Sequence, residues 1–215
     1  MLISVILGHP NPRSFNHALA DETLQVLRQN GHTVVFHDLY AEGFDPLLSA
    51  EETGRDAKLP DAVALHCREI VQADGIVIIH PNWWGQPPAI VKGWVDRVLR
   101  PDVAYRFVEN DAGEGVPVGL LKAKTALVFN TSNTPPERER SVFGDPLDNL
   151  WRNCIFRFCG VDTVCRETFS VIVTSSAIQR KEWLGRARAL AAECFVRQGQ
   201  RQGERAVQAT QAQGG

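Results

Sequence analysis

The chain has 215 residues, enough for one domain with a substantial core and short of the length at which single cores usually divide. It carries 23 Lys and Arg against 25 Asp and Glu, a formal net charge of -2, with 44% hydrophobic residues, a balance that excludes a polyanion-binding basic protein and a disordered one and argues against nucleic acid as a partner. The longest apolar runs stop far short of the ~20 residues a membrane helix needs, and no cationic segment precedes an apolar one at the N-terminus, so a cytoplasmic protein without an integral membrane segment is expected.

Residues 2–7, LISVIL, are apolar apart from Ser4, the pattern of a strand covered on both faces. Next comes GHPNPRSFN (8–16), a stiff turn rich in Pro and Asn that ends in Ser14 and Asn16, both candidate helix caps. From Asn16 a helix runs to NGH (30–32), and TVVFHDL (33–39) follows as a second strand. A polar stretch over 41–60 leads into a helix at 61–73, and GIVIIHP (75–81) is the strongest strand.

A helix at 87–100 then starts on two prolines and spaces Ile90, Val91, Trp94, Val95 and Val98 helically. Residues 101–121 read as a loop rich in Gly, Pro and acid, TALVFNTS (125–132) as a fourth strand, 145–158 as a helix, 161–173 as a fifth strand and 176–198 as a last helix. Alternation of strand and helix predicts a three-layer αβα domain over 1–197 with a five-stranded parallel sheet, flavodoxin-like in its 2-1-3-4-5 order. Residues 198–215 are Gln- and Gly-rich with almost no apolar content, the composition of a disordered polar tail. The five cysteines show neither CxxC spacing nor a Cys/His cluster; buried free thiols and no metal centre are expected.

Ligands of such sheets bind outside the carboxyl ends of the strands, where the winding reverses. In the loop after the first strand, helix N-terminal amides, Ser14 and Asn16 can hold an anion, with His9, Arg13 and His17 adding possible charge; plain helix capping explains Ser14 and Asn16 equally well. The loop after the third strand carries Trp83 and Trp84, which either stack on a flat heterocycle or cover the sheet end. NTSNTPP (130–136) either presents donors to a polar ring edge or is an ordinary turn. Neither GxGxxG nor GxxxxGK[ST] occurs, so a dinucleotide Rossmann site and a P-loop lose support. Phosphate, stacking and edge-donor chemistry converging on one crevice point to a flavin nucleotide.

Four blocks, GHPNPRSFNHAL, ADGIVIIHPNWWGQPPAIVKGWVDRVL with AYRF after it, NTSNTP, and FGDPLDNLWRNCIFRFCG, resemble the NAD(P)H:quinone oxidoreductases of DT-diaphorase type, flavoproteins that also include ancillary proteins of potassium-efflux systems. The resemblance spans roughly residues 1–175. It implies a homodimer with noncovalent FMN or FAD that passes two electrons from NAD(P)H to a quinone or similar small acceptor in ping-pong fashion. By resemblance His9, Ser14, Phe15 and Asn16 hold the flavin phosphate, and Pro81, Asn82, Trp83 and Trp84 lie along the ring. Thr131, Ser132, Asn133 and Thr134 meet its pyrimidine edge. Trp84, Tyr105 and Phe107 form the substrate pocket, the latter two reaching in from the partner copy.

Some animal members use a Tyr and a His to assist proton movement; here those positions are Glu137 and Phe143. Asp96 and Arg97 either bind the AMP half of FAD or form an ion-paired helix face, with FMN preferred. Other readings are a flavin-binding regulatory subunit of a cation transporter, an azo- or nitro-compound reductase, and a one-electron carrier; the last is disfavoured because a carrier exposes its flavin. NAD(P)H oxidation with a simple benzoquinone separates the enzyme from the regulatory module.

Overall fold

The computed structural model describes residues 1–54, 56–109 and 115–196. Five parallel strands form the central sheet: β1 (Leu2–Leu7), β2 (Thr33–Asp38), β3 (Gly75–Pro81), β6 (Thr125–Ser132) and β7 (Thr163–Ser170), in the order β2-β1-β3-β6-β7. Two further strands, β4 (Tyr105–Glu109) and β5 (Gly115–Gly119), make a separate antiparallel hairpin. Counted without the hairpin, the sheet has the expected 2-1-3-4-5 order.

Strand periodicity divides the core in two. Ile6 of β1, Ile76 and Ile78 of β3, and Ala126 and Val128 of β6 face one side, packed beneath α2 (Asp61–Gln72) and α3 (Ala89–Val98) with Trp94 and Trp151. Their neighbours Val5, Leu7, Val77, Ile79, Leu127 and Phe129 face the other side, under α1 (Phe15–Gln29) and α6 (Ala177–Cys194). Burial on both faces is why these strands read as continuous apolar runs instead of alternating ones.

Three expectations need correction. The segment 101–121 is no plain loop, because Tyr105 to Glu109 pairs with Gly115 to Gly119; Pro117 obscured the strand, and the pair is peripheral to the sheet, where Pro is tolerated. The helix expected over 145–158 is a short α5 (Pro146–Asn149) that continues as a wider π-helical turn, Leu150–Phe156. A short helix, α4 (Pro136–Ser141), was not expected; its proline at the first turn and Glu137 and Glu139 beside it are ordinary helix-start chemistry.

Of the five cysteines expected to be buried, Cys154 is exposed and Cys165 only half-buried, whereas Cys67, Cys159 and Cys194 are buried. The tail expected over 198–215 lies outside the described residues. No helix among the described residues is long and apolar enough to cross a membrane.

The turn after β2 is anchored by a polar cluster. Both ring nitrogens of His37 meet carboxylates, Glu42 at 2.9 Å and Glu69 at 2.7 Å, and His66 Nε2 lies 3.4 Å from Glu42. His37, Glu42 and His66 have metal-ligand character, but Trp94 Nε1 donates to His66 Nδ1 at 3.1 Å. A metal on Nε2 would require a hydrogen on that same Nδ1, so the network is a hydrogen-bonded anchor.

Candidate active site

The loop after β1 begins with Gly8, whose N donates to Ile79 O at 3.0 Å. A Cβ there would stand 2.1 Å from Val91 Cγ2, so only glycine lets the loop leave this close to α3. The turn is built by its own side chains: Asn11 N donates to His9 Nδ1 at 3.0 Å and Arg13 N to Asn11 Oδ1 at 2.9 Å. Accepting at Nδ1 suits a neutral His9, and burial lowers its pKa from the ordinary value. Ser14 then caps α1, accepting from His17 N at 3.3 Å.

At the second position of that helix, Asn16 is 2% exposed. Its Nδ2 donates to Thr131 Oγ1 at 2.8 Å, while its Oδ1 has no partner. Buried polar atoms are almost always paired, so an orphan here points toward a missing ligand. Phe15 turns back into the protein, edge-on to Phe169 and Trp183.

After β3, Asn82 N donates to Thr131 O at 2.7 Å. Its side chain accepts from Gly85 N at 3.0 Å and donates to Glu139 Oε1 at 3.1 Å. Trp83 and Gln86 exchange both backbone hydrogen bonds at 3.0 Å, leaving Trp84 and Gly85 at the tip with φ of 58° and 70°. Left-handed φ at both central positions is the geometry of a type I′ turn. For tryptophan it costs roughly 1–2 kcal/mol, and it holds the Trp84 ring entirely in solvent, 101% exposed. An apolar side chain kept outside at a backbone cost is an observation that asks for a ligand or partner.

On the fourth loop Thr131 and Ser132 are buried, Thr134 N donates to Ser132 Oγ at 3.0 Å, and Asn133 Oδ1 accepts from Val173 N at 3.0 Å. These loops enclose a cavity of about 740 Å³, within the usual range for a small-molecule site. His9, Ser14, Phe15, Asn16, Pro81, Asn82, Trp83, Trp84, Thr131, Ser132, Asn133 and Thr134 all line it. Tyr105 and Phe107 do not; they sit on the hairpin, where Tyr105 packs 4.8 Å from the Phe158 ring and Phe107 is half exposed.

Four lining residues escaped the sequence reading of the site: Glu139, Phe143, Pro146 and Ile172. Phe143 had been noted only as a departure. Behind the cavity floor His80 is fully buried and held neutral: its Nδ1 donates to Pro81 O at 2.7 Å, and Nε2 accepts from Trp151 Nε1 at 2.9 Å and from Asn130 Nδ2 at 3.0 Å. Desolvation pulls its pKa down to about 4. Asn130 Oδ1 in turn accepts from Arg166, which also pairs with Asp145 and Asp148.

A family model described as a flavodoxin-like fold matches residues 1–191. The chain belongs to this flavodoxin-like family. A relative from Haemophilus influenzae, an uncharacterized NAD(P)H oxidoreductase, is 39% identical over 173 residues, 78% of this chain and 83% of its own length. The solved NAD(P)H:quinone oxidoreductase of Methanothermobacter marburgensis superposes with a TM-score of 0.77 at 26% identity, covering 89% of this chain and 95% of its own. The FMN-dependent NADH-azoreductase of Bacillus anthracis in complex with FMN shares the fold, with a TM-score of 0.69 at 17% identity over 90% of this flavodoxin-like chain and 99% of its own.

Proposed function

We propose that the protein is an NAD(P)H-dependent flavoprotein oxidoreductase that passes two electrons through noncovalently bound FMN to a quinone-like acceptor, by a ping-pong mechanism, as a homodimer. The observation that carries this reading is the convergence of three loops on one cavity, with Asn16 Oδ1 left unpartnered in its wall. The donor set fits a flavin nucleotide. Ser14 and the α1 N-terminus would hold the phosphate, Trp83 and Trp84 would flank the ring, and the 131–134 loop would meet its polar edge. When bound, the flavin supplies the hydride and two-electron chemistry, and the protein supplies binding and electrostatics.

FMN is favoured over FAD because the side chains that could receive an adenosine half are already engaged. Arg97 is buried and grips Glu52 with two hydrogen bonds, at 2.9 Å and 2.7 Å, as well as Asp45 O. Asp96 is paired with Lys92. A Cβ on Gly93 would lie 2.2 Å from Pro46 O, so the loop after β2 is pressed directly onto α3.

Around the reacting centre this chain offers little acid–base machinery. Glu137 is exposed and 3.4 Å from Arg140, away from the cavity, and Phe143 cannot carry a proton. Glu139 and His9 are the ionisable residues in the lining. That composition suits a reaction governed by placement of donor and acceptor over a flavin. Phe107 is half exposed on the hairpin, with Tyr105 packed beside it, and both lie outside their own cavity, where a second copy would meet them. The cytoplasm, which supplies NAD(P)H, is the compartment this chemistry implies.

The test is direct. The purified protein should release FMN on heating, identified by chromatography, and should oxidise NADPH or NADH with benzoquinone, giving parallel double-reciprocal plots. Turnover no faster than that of free flavin would refute the reading.

A further inference from the structure

One group of polar side chains beside the cavity has no part in the reading so far. Ser14 Oγ lies 2.9 Å from His17 Nδ1, and His17 Nε2 lies 3.0 Å from Asp38 Oδ2. Asp38 ends β2, next to Leu7 of β1 in register. Its second oxygen accepts from Tyr40 N at 3.1 Å and Ala41 N at 3.2 Å, which fixes the carboxylate with Oδ2 aimed at the ring. His17 and Asp38 are each largely buried, at 16% and 17% side-chain exposure. Neither is among the cavity-lining residues; Ser14 is.

The hydrogen inventory leaves two arrangements of this line, and an anion in the cavity, which can only accept, fits the one in which Ser14 donates outward. A carboxylate only accepts, so His17 Nε2 carries a hydrogen. Ser14 Oγ already accepts from His17 N. If Nδ1 is bare, the single Ser14 hydrogen points to it, and the hydroxyl turns lone pairs toward the cavity. If Nδ1 also carries a hydrogen, it donates to Ser14 Oγ. Both oxygen lone pairs are then occupied, and the only capacity left to Ser14 is donation outward.

We propose that Asp38 and His17 are positioning residues that orient the Ser14 hydroxyl for donation to an anionic group in the cavity, so that the site selects a phosphorylated flavin over the unphosphorylated one. Asp38 holds the ring through Nε2. The ring turns the hydroxyl, and the hydroxyl meets the anion. Asn16, 2% exposed with an unpartnered Oδ1 in the same cavity wall, independently marks this end as a ligand site. Its amide can present either Oδ1 or Nδ2 to what binds there. His9, whose ring centroid is 6.3 Å from that of His17, is the other titratable group facing the line.

The inference rests on the flavin reading, and one experiment separates the two. Dissociation constants of the flavin-free protein for FMN and for riboflavin are measured by quenching of flavin fluorescence, in wild type, His17→Phe, Asp38→Asn and the double variant. Wild type should prefer FMN. Each single variant should lose roughly tenfold or more in FMN affinity, the loss expected for one charge-assisted hydrogen bond, with riboflavin affinity unchanged. The double variant should lose no more than His17→Phe alone, because the two residues act through one line. Retained riboflavin binding also certifies the fold. FMN and riboflavin affinities falling together, or an FMN preference undiminished in the variants, overturns the relay. A wild-type protein that binds neither flavin overturns the flavin reading and the relay with it.

Discussion

Asn16 and Thr131 lie 115 positions apart in the chain and share a buried hydrogen bond of 2.8 Å that ties the start of α1 to the end of β6. The bond closes one end of the cavity and leaves Asn16 with a spare acceptor. Thr131→Val should therefore lower stability by about 1–3 kcal/mol, the cost of a buried donor without a partner, read from urea unfolding of the flavin-free protein. Asn16→Asp replaces the donor to Thr131 Oγ1 by an acceptor that this hydroxyl can meet by turning its hydrogen, and it places negative charge where the phosphate is proposed. It should weaken FMN binding at least tenfold, and an unchanged dissociation constant would remove this loop from the site.

Trp84 is the residue at which function and stability come apart. Its ring buries nothing in the isolated chain, and its φ of 58° is strained for a side chain of that size. Trp84→Gly should leave the melting temperature of the flavin-free protein unchanged or raise it by a few degrees. Flavin affinity should fall roughly two- to tenfold through lost stacking, and turnover should fall with it. A lower melting temperature would show that the ring serves the fold.

How much of this was legible follows from which interactions are local. The three central strands announce themselves because both faces are buried, so Leu2–Leu7, Gly75–Pro81 and Thr125–Ser132 read as largely apolar runs. The three candidate loops follow from topology alone once the strand order is fixed, and the twelve expected lining residues all meet in one cavity. Glu139 was missed because it is turned inward by Asn82, a contact across 57 residues that no local pattern encodes. The hairpin was missed because five residues of strand broken by a proline resemble a turn-rich loop. The Asp38–His17–Ser14 line was invisible for the same reason as Glu139. Asp38 closes a strand as any hydrophilic residue might, and only the β1–β2 register brings it to His17.

The Glu52–Arg97 pair makes a separate claim about the loop after β2. Both side chains are buried and doubly hydrogen-bonded, and Arg100 adds bonds from its guanidinium to Glu52 O at 2.9 Å and Gly54 O at 2.8 Å. Removing one partner strands the other charge in the interior. Glu52→Ala or Arg97→Ala should cost about 3–5 kcal/mol, whereas the exposed Lys92–Asp96 pair one turn away should cost at most about 0.5 kcal/mol. Chemical denaturation of Glu52→Ala, Arg97→Ala and Asp96→Ala checks the contrast. Equal small effects would show that the loop is not clamped, and the argument for FMN from this clamp would fall with it.

Acid should unfold this protein through two buried histidines before its carboxylates protonate. His80 accepts from two donors at Nε2, and His66 accepts from Trp94 at Nδ1, so each is folded as the neutral ring. Desolvation lowers both to about 4, with the neighbouring His37 contributing at His66 and Arg166 at His80. An unfolded histidine titrates near 6.5. Between those values the unfolded chain binds protons that the folded one refuses, so stability is complete above about pH 6.5 and declines as pH falls toward 4. Each ring should account for roughly 3 kcal/mol over that window, and below it neither contributes further slope. Urea unfolding at several pH values from 7 to 4 measures the decline. His66→Phe should reduce the slope by about half whatever it does to absolute stability. A stability profile that is flat across that range would show that neither ring is held neutral.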